Sequence, residues 1–202
     1  MPDTGAPYFI PFADPTDLVR DWPALSEDVA EAVADGLDEA GSAGIGSNVV
    51  QTVKTDVFSA ALAAGATTAL TGISATITPS SATAKVLVQV SVTITSSTQS
   101  LARGANIILK RNGTPIAVGD ANGSRTRVTS GVVAGAGTAL GLVSFTFLDE
   151  PTSASPVVYS VDGHQADQDG TRTLFVNRPA GDADLTSFSR AASSITLIEV
   201  AA

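Results

Sequence analysis

From Lys85 to Thr95, the residues Val86, Val88, Val90, Val92 and Ile94 alternate with Leu87, Gln89, Ser91, Thr93 and Thr95. A period of two sustained over such a length predicts a strand with one face in a core and the other turned outward. Shorter stretches of the same kind predict strands near 49–58, 69–78, 104–111, 115–119, 140–148, 156–162, 171–177 and 194–200. Asn112-Gly113, set between two of them, is the preferred pair for a two-residue type I′ hairpin turn. Pro79-Ser80-Ser81 and Asp149-Glu150-Pro151 punctuate others. The Gly- and Ala-rich stretch 131–141 reads either as a loop or as a close-packed strand. Many short strands separated by turn signals predict a mainly β fold, a jelly-roll-like antiparallel β-sandwich over residues 48–202.

The pattern upstream is different. Over 25–40, Leu25, Val29, Ala32, Val33, Gly36, Leu37 and Ala40 recur at three- and four-residue spacing, which predicts a short α-helix. Its apolar stripe is narrow, closer to a coiled-coil seam than to a globular-core face. A helix of about four turns is marginal alone in water, so Leu25, Val29, Val33 and Leu37 need cover. A trimeric coiled coil would supply it, and so would packing on the β-domain. Residues 1–24 carry Pro2, Pro7, Pro11, Pro15 and Pro23, a density that disfavours a long helix or a central strand and predicts an extended arm. Asp14-Pro15-Thr16-Asp17 could open one or two helical turns within it. Tyr8, Phe9, Ile10, Phe12, Leu18 and Trp22 are the arm's large apolar side chains, the candidates for anchoring it on another protein. Residues 41–47, Gly41-Ser42-Ala43-Gly44-Ile45-Gly46-Ser47, have the composition of a flexible linker.

Charge sharpens this division. The chain has 202 residues and a formal net charge of −9. Asp3, Asp14, Asp17, Asp21, Glu27, Asp28, Glu31, Asp35, Asp38 and Glu39 all precede residue 41, against the single base Arg20. The remainder balances. An acidic arm beside a neutral β-domain marks two parts with different roles, and it argues against nucleic acid, whose binding needs a basic footprint. Arg103, Lys110, Arg111, Arg125 and Arg127 are spread over strands and loops rather than gathered in a patch. Met1-Pro2-Asp3-Thr4 opens no secretory signal, and no apolar run approaches the length of a membrane span.

Candidate chemistry is sparse. There is no cysteine, so disulfides and thiolate metal sites are excluded. His164 is the only histidine and reads as part of a surface loop after a strand, with no nucleophile-elbow motif beside it. Asp162, Asp167, Asp169 and Gly170 form an acidic loop that lacks the spacing and closing Glu of a calcium-binding loop, and solvated charge is the better reading. Asp149 and Glu150, beside Pro151, likewise read as solvated turn charges rather than a hydrolytic pair. No phosphate-cradling glycine motif occurs. No catalytic residue, cofactor or metal is expected.

Two stretches resemble a known class. Pro7-Tyr8-Phe9-Ile10-Pro11-Phe12-Ala13-Asp14-Pro15-Thr16-Asp17-Leu18-Val19-Arg20-Asp21-Trp22-Pro23 resembles the N-termini of minor tail or fibre proteins of phages infecting actinobacteria. The β-region is similar to a domain recurring in phage tail-fibre and virion-appendage proteins, through Ile73 to Ser81, Leu109 to Thr114, Gly119 to Arg127, Phe147 to Pro151, Leu174 to Arg178 and Ser194 to Val200. The resemblance implies a virion protein assembled in the host cytoplasm: a homotrimeric β-sandwich on an arm that attaches to other virion proteins, with host-surface polymer as a possible ligand. The alternative it leaves is a capsid decoration or head-fibre protein anchored to the capsid through residues 1–40. No functional residue transfers from it.

Overall fold

In the computed structural model, the residues described are 22–42, 48–97, 104–133, 138–166 and 170–200. One helix, α1 (Trp22–Ser42), precedes eleven strands. These are β1 (Val49–Lys54), β2 (Phe58–Leu62), β3 (Thr67–Ile77), β4 (Lys85–Ser96), β5 (Gly104–Arg111), β6 (Thr114–Pro115), β7 (Ser130–Val133), β8 (Leu142–Asp149), β9 (Val157–Gln165), β10 (Arg172–Val176) and β11 (Ser193–Val200). They form two antiparallel sheets, one of six strands and one of five, as a β-sandwich. The arm residues Tyr8, Phe9, Ile10, Phe12 and Leu18 lie outside the described residues.

The long strand β4 is the spine of the six-stranded sheet. β8 pairs along one edge, from Val86↔Asp149 to Thr93↔Leu142. On the other edge β11 covers Lys85 to Ser91 and β10 covers Ile94 to Ser96. Beyond them, β1 pairs with β11 and β2 with β10. Two pairs of short strands thus run end to end where two long strands would otherwise stand. In the second sheet β9 lies between β3 and β5, while β7 and β6 share the far edge of β5. Val86, Val88, Val90, Val92 and Ile94 turn inward as their alternation predicts, against Ile73, Ile77, Ile107, Leu109, Tyr159, Val161, Leu174, Ile195 and Leu197.

Asn177 closes the gap between the half-strands. It follows β10 with a positive φ of 63°, in the left-handed region that Asn tolerates better than most residues. Its backbone N–H donates to the Thr93 carbonyl at 3.0 Å, and its carbonyl accepts from Ala191 at 3.1 Å. Its side-chain amide donates to the carbonyls of Lys54 (2.8 Å) and Asp56 (3.0 Å), across the break between β1 and β2. Its side-chain oxygen accepts from the Ser193 hydroxyl at 2.6 Å, and that hydroxyl accepts from the Thr93 N–H at 3.0 Å. The Lys54 and Asp56 carbonyls and the Thr93 N–H, left over where the ladders are interrupted, are thereby satisfied by side chains.

Several sequence expectations change. The strand expected over 49–58 is two, broken at residues 55–57 where Asn177 reaches across. The strand expected over 115–119 shrinks to Thr114–Pro115: Pro115 has no N–H to continue a ladder, and Ala117 turns at a φ of 50°. The glycine-rich stretch contains a strand, β7, packed tightly enough that a Cβ on Gly131 would meet the Asn106 side-chain oxygen at 2.0 Å. α1 starts at Trp22, not at residue 25, with Pro23 in the first turn where proline is tolerated. It runs on through Gly41 and Ser42, which had been assigned to the linker. The Asn112-Gly113 hairpin is as expected, with φ of 48° and 81° as a type I′ turn requires.

Replacing Asn177 by Ala should lower the unfolding free energy by roughly 2–4 kcal/mol, since two carbonyls and a hydroxyl lose a buried partner and a non-glycine residue keeps the left-handed φ. Replacement by Gly should cost less by relieving the backbone, and chemical denaturation of the two variants beside the parent checks the order.

Candidate functional site

The outer face of the six-stranded sheet carries no charge across its centre. Register places its outward side chains in rows across β1, β11, β4 and β8. The first row is Val49, Ile198, Leu87 and Leu148. The second is Gln51, Thr196, Gln89 and Thr146, and the third Val53, Ser194, Ser91 and Ser144. Gln51 donates to the Thr196 hydroxyl at 2.8 Å. The polar rows floor a shallow depression of about 330 Å³. The apolar row is different: in a sheet facing water, outward positions of neighbouring strands are ordinarily polar, yet Val49 is 55% exposed and Leu148 45%. Leu142, outward beside Thr93, is 62% exposed. The Lys85–Glu150 ion pair, at 2.7 Å, borders the face.

α1 leaves part of its apolar stripe in water: among the described side chains Val33 is 44% exposed, while Val29, Ala32 and Gly36 are half-buried. Trp22, Leu25 and Leu37 fall within α1, but their side chains lie outside the described residues. Glu27, Asp28, Glu31 and Asp35 are all exposed.

A cleft of about 450 Å³ opens where three loops meet: Ala64 and Gly65 between β2 and β3, Ser124 to Thr126 between β6 and β7, and His164 to Ala166 at the end of β9. His164 corrects its sequence reading. It belongs to β9 itself and is 5% exposed. It falls on the strand because β9 continues past residue 162 to pair with both β3 and β5. Its Nδ1 lies 3.3 Å from the Asn106 amide nitrogen. Burial holds the imidazole pKa below its usual value, the neighbouring Gly65 backbone opposing part of the shift, so the ring is neutral near pH 7.

The other acids singled out in the sequence also have structural partners. Asp162 is buried on β9 and takes a hydrogen bond from Lys110, so it is no part of a solvated loop. Asp167 and Asp169 lie outside the described residues. Asp149 is buried rather than solvated: Arg111 Nη1 reaches both its oxygens at 2.9 Å, and the Tyr159 hydroxyl donates to it at 2.6 Å. Burial, and then the Asp149 carboxylate, push the Tyr159 pKa far up, so its hydroxyl keeps its proton. These partners come from distant strands, and no local motif announces them. Among the described residues, no three His, Asp or Glu side chains gather as a metal site.

Glu199 is a buried acid that sequence reading passed over, 1% exposed on the inward side of β11. Burial alone would raise its pKa. The Ser80 hydroxyl and Ser80 N–H (2.8 Å) donate to one oxygen and the Asn48 amide (3.1 Å) to the other, and together they hold the carboxyl below 4.5. The cluster ties the start of β1 and the β3–β4 turn to the last strand.

No protein-family model matches the chain, and no curated protein is similar to it. Among solved structures it is similar to that of infectious bursal disease virus Gt strain, at 14% identity over 76% of this chain and 38% of that one, with a TM-score of 0.39. It is also similar to the infectious bursal disease virus VP2 subviral particle, at 12% identity over 76% of this chain and 37% of that one, with a TM-score of 0.40. The chain spans less than two-fifths of the length of these proteins.

A folded-state pKa held below its unfolded value stabilises the fold above that unfolded value, and the benefit is lost as pH falls through the folded one. Glu199→Gln should therefore lower the urea midpoint at pH 7. The gap to the parent should close as pH drops from about 5 to 3.

Proposed function

We propose that the chain is a non-enzymatic structural protein of a phage particle, of the tail-fibre or minor-tail type, working as a homotrimer. In this reading residues 1–40 attach it to other virion proteins and the neutral sandwich faces the host surface. The observation that carries the proposal is the apolar row Val49, Ile198, Leu87 and Leu148 on an uncharged outer sheet face. Such a face meets another copy without like-charge repulsion. Covering its exposed methyl groups is favourable by about 25 cal/mol for each Å² removed from water. The stripe of α1, with Val33 44% exposed, adds a second surface for the same association. The resemblance of residues 7–23 to the N-termini of phage minor tail proteins supplies the particle. Three copies held together would multiply weak contacts at both ends by raising the effective concentration.

The full chain at micromolar concentration should have three times the single-chain mass of 20.3 kDa by light scattering. Val29→Asp combined with Val33→Asp should shift it towards a single chain with the β circular-dichroism signal intact, and should reduce its incorporation into purified particles. A parent chain that is a clean monomer, or that is missing from the particles, would contradict the proposal.

A further inference from the structure

Asparagine is followed by glycine at two places, Asn112-Gly113 and Asn122-Gly123. Such a pair reacts with itself in water when the chain is free to bend back. The glycine backbone nitrogen attacks the side-chain amide carbon of the asparagine. A C–N bond forms, ammonia leaves, and a cyclic succinimide remains. Water then opens the ring at either carbonyl, giving aspartate or isoaspartate and one new negative charge. Glycine favours the attack because it has no Cβ to shield its nitrogen or restrict its backbone. The asparagine side chain must still be free to turn towards its own backbone.

The fold treats the two sites oppositely. Asn112 lies in the type I′ hairpin turn, held on both sides by the pairing of Arg111 with Thr114. Its side-chain oxygen accepts from the Val158 N–H at 2.9 Å, and its own N–H donates to the Val158 carbonyl at 2.8 Å. Val158 belongs to β9, so the Asn112 side chain is tied to a neighbouring strand. To react, it has to release both bonds. Asn122 has no such hold. It stands in the exposed connection between β6 and β7, and its side chain makes no hydrogen bond. Its carbonyl accepts from the Arg125 N–H at 3.3 Å, which leaves the amide carbon and the Gly123 nitrogen unengaged. Space does not separate the two sites, since a Cβ added at Gly113 or at Gly123 would meet nothing within 4 Å. Hydrogen bonding does.

We propose that Asn122 is a site of spontaneous deamidation, and that the hairpin protects Asn112 from the same reaction. Each conversion places a carboxylate beside Asp120 and Arg125 in a β-domain whose charges otherwise balance. The charge of one exposed loop therefore changes as the protein ages. The inference does not rest on the virion reading.

Trypsin cuts after Arg111 and Arg125, so a single peptide, residues 112–125, carries both sites. The folded full-length protein is kept at mildly alkaline pH, beside the same chain unfolded in guanidinium chloride, until the unfolded chain has half converted. Tandem mass spectrometry of the peptide then places each amide-to-acid exchange. In the folded protein Asn122 should convert at least about tenfold faster than Asn112, because two hydrogen bonds must open before Asn112 can react. In the unfolded chain the two rates should be similar. Asn122→Gln should remove the more acidic species that accumulates on isoelectric focusing, with the thermal midpoint unchanged. Equal rates in the folded protein, faster conversion of Asn112, or an Asn122 that stays intact while the unfolded chain converts overturns the inference. A tenfold gap that persists in guanidinium chloride overturns the part assigned to the fold.

Discussion

The buried side chain of Asn177 is what allows this sandwich to be built from broken strands. β4 is long enough to span the sheet, but neither of its neighbours on the β10–β11 edge is. At the β1–β2 break the Lys54 and Asp56 carbonyls face the buried Asn177 amide, where an unpaired carbonyl is costly. One amide group meets two carbonyls of the β1–β2 break and a hydroxyl at the start of β11, while its own backbone closes on Thr93. The positive φ at Asn177 turns the chain out of β10 so that the segment leading to β11 can return to the same edge. The registers of β1 and β11 follow from that junction, and so do the rows of the outer face. A slip of one residue in β11 would send Leu197 outward and Ile198 into the core.

What was legible in the sequence was the part set by local periodicity. The alternation over 85–95 gave β4 its length and its inward face, and Asn112-Gly113 gave the hairpin, because both signals sit in consecutive residues. The break between β1 and β2 was not legible, since it depends on a side chain 121 residues away. His164 and Asp162 were assigned to a loop because Asp, Gly and Gln read as turn-formers. Pairing with strands on both sides overrides that preference. Asp149 looked solvated beside Pro151 because Arg111 and Tyr159 reach it from other strands. The cleft unites three loops distant in sequence, so its lining could not be assembled by spacing alone.

Two apolar surfaces have a common consequence. The described part of the α1 stripe and the outward row from Val49 to Leu148 each leave methyl groups in water in a single chain, and the outward row lacks the charges that would keep copies apart. The acids of α1 lie beside its stripe, where they hold the free helix in solution and oppose unspecific clustering. An assembly protein needs such a division: sticky surfaces that are narrow, and charged ones that limit where they stick.

The claim at the centre of this account is that the chain is built into a virus particle through its N-terminal part and presents its sandwich outward. The density of this chain in images of the intact phage particle tests it most directly. The account predicts three sandwiches about a common axis at a tail appendage, with α1 directed towards the particle. Particles carrying no density for the chain, or sandwiches buried beneath other proteins with α1 pointing into solvent, would contradict it.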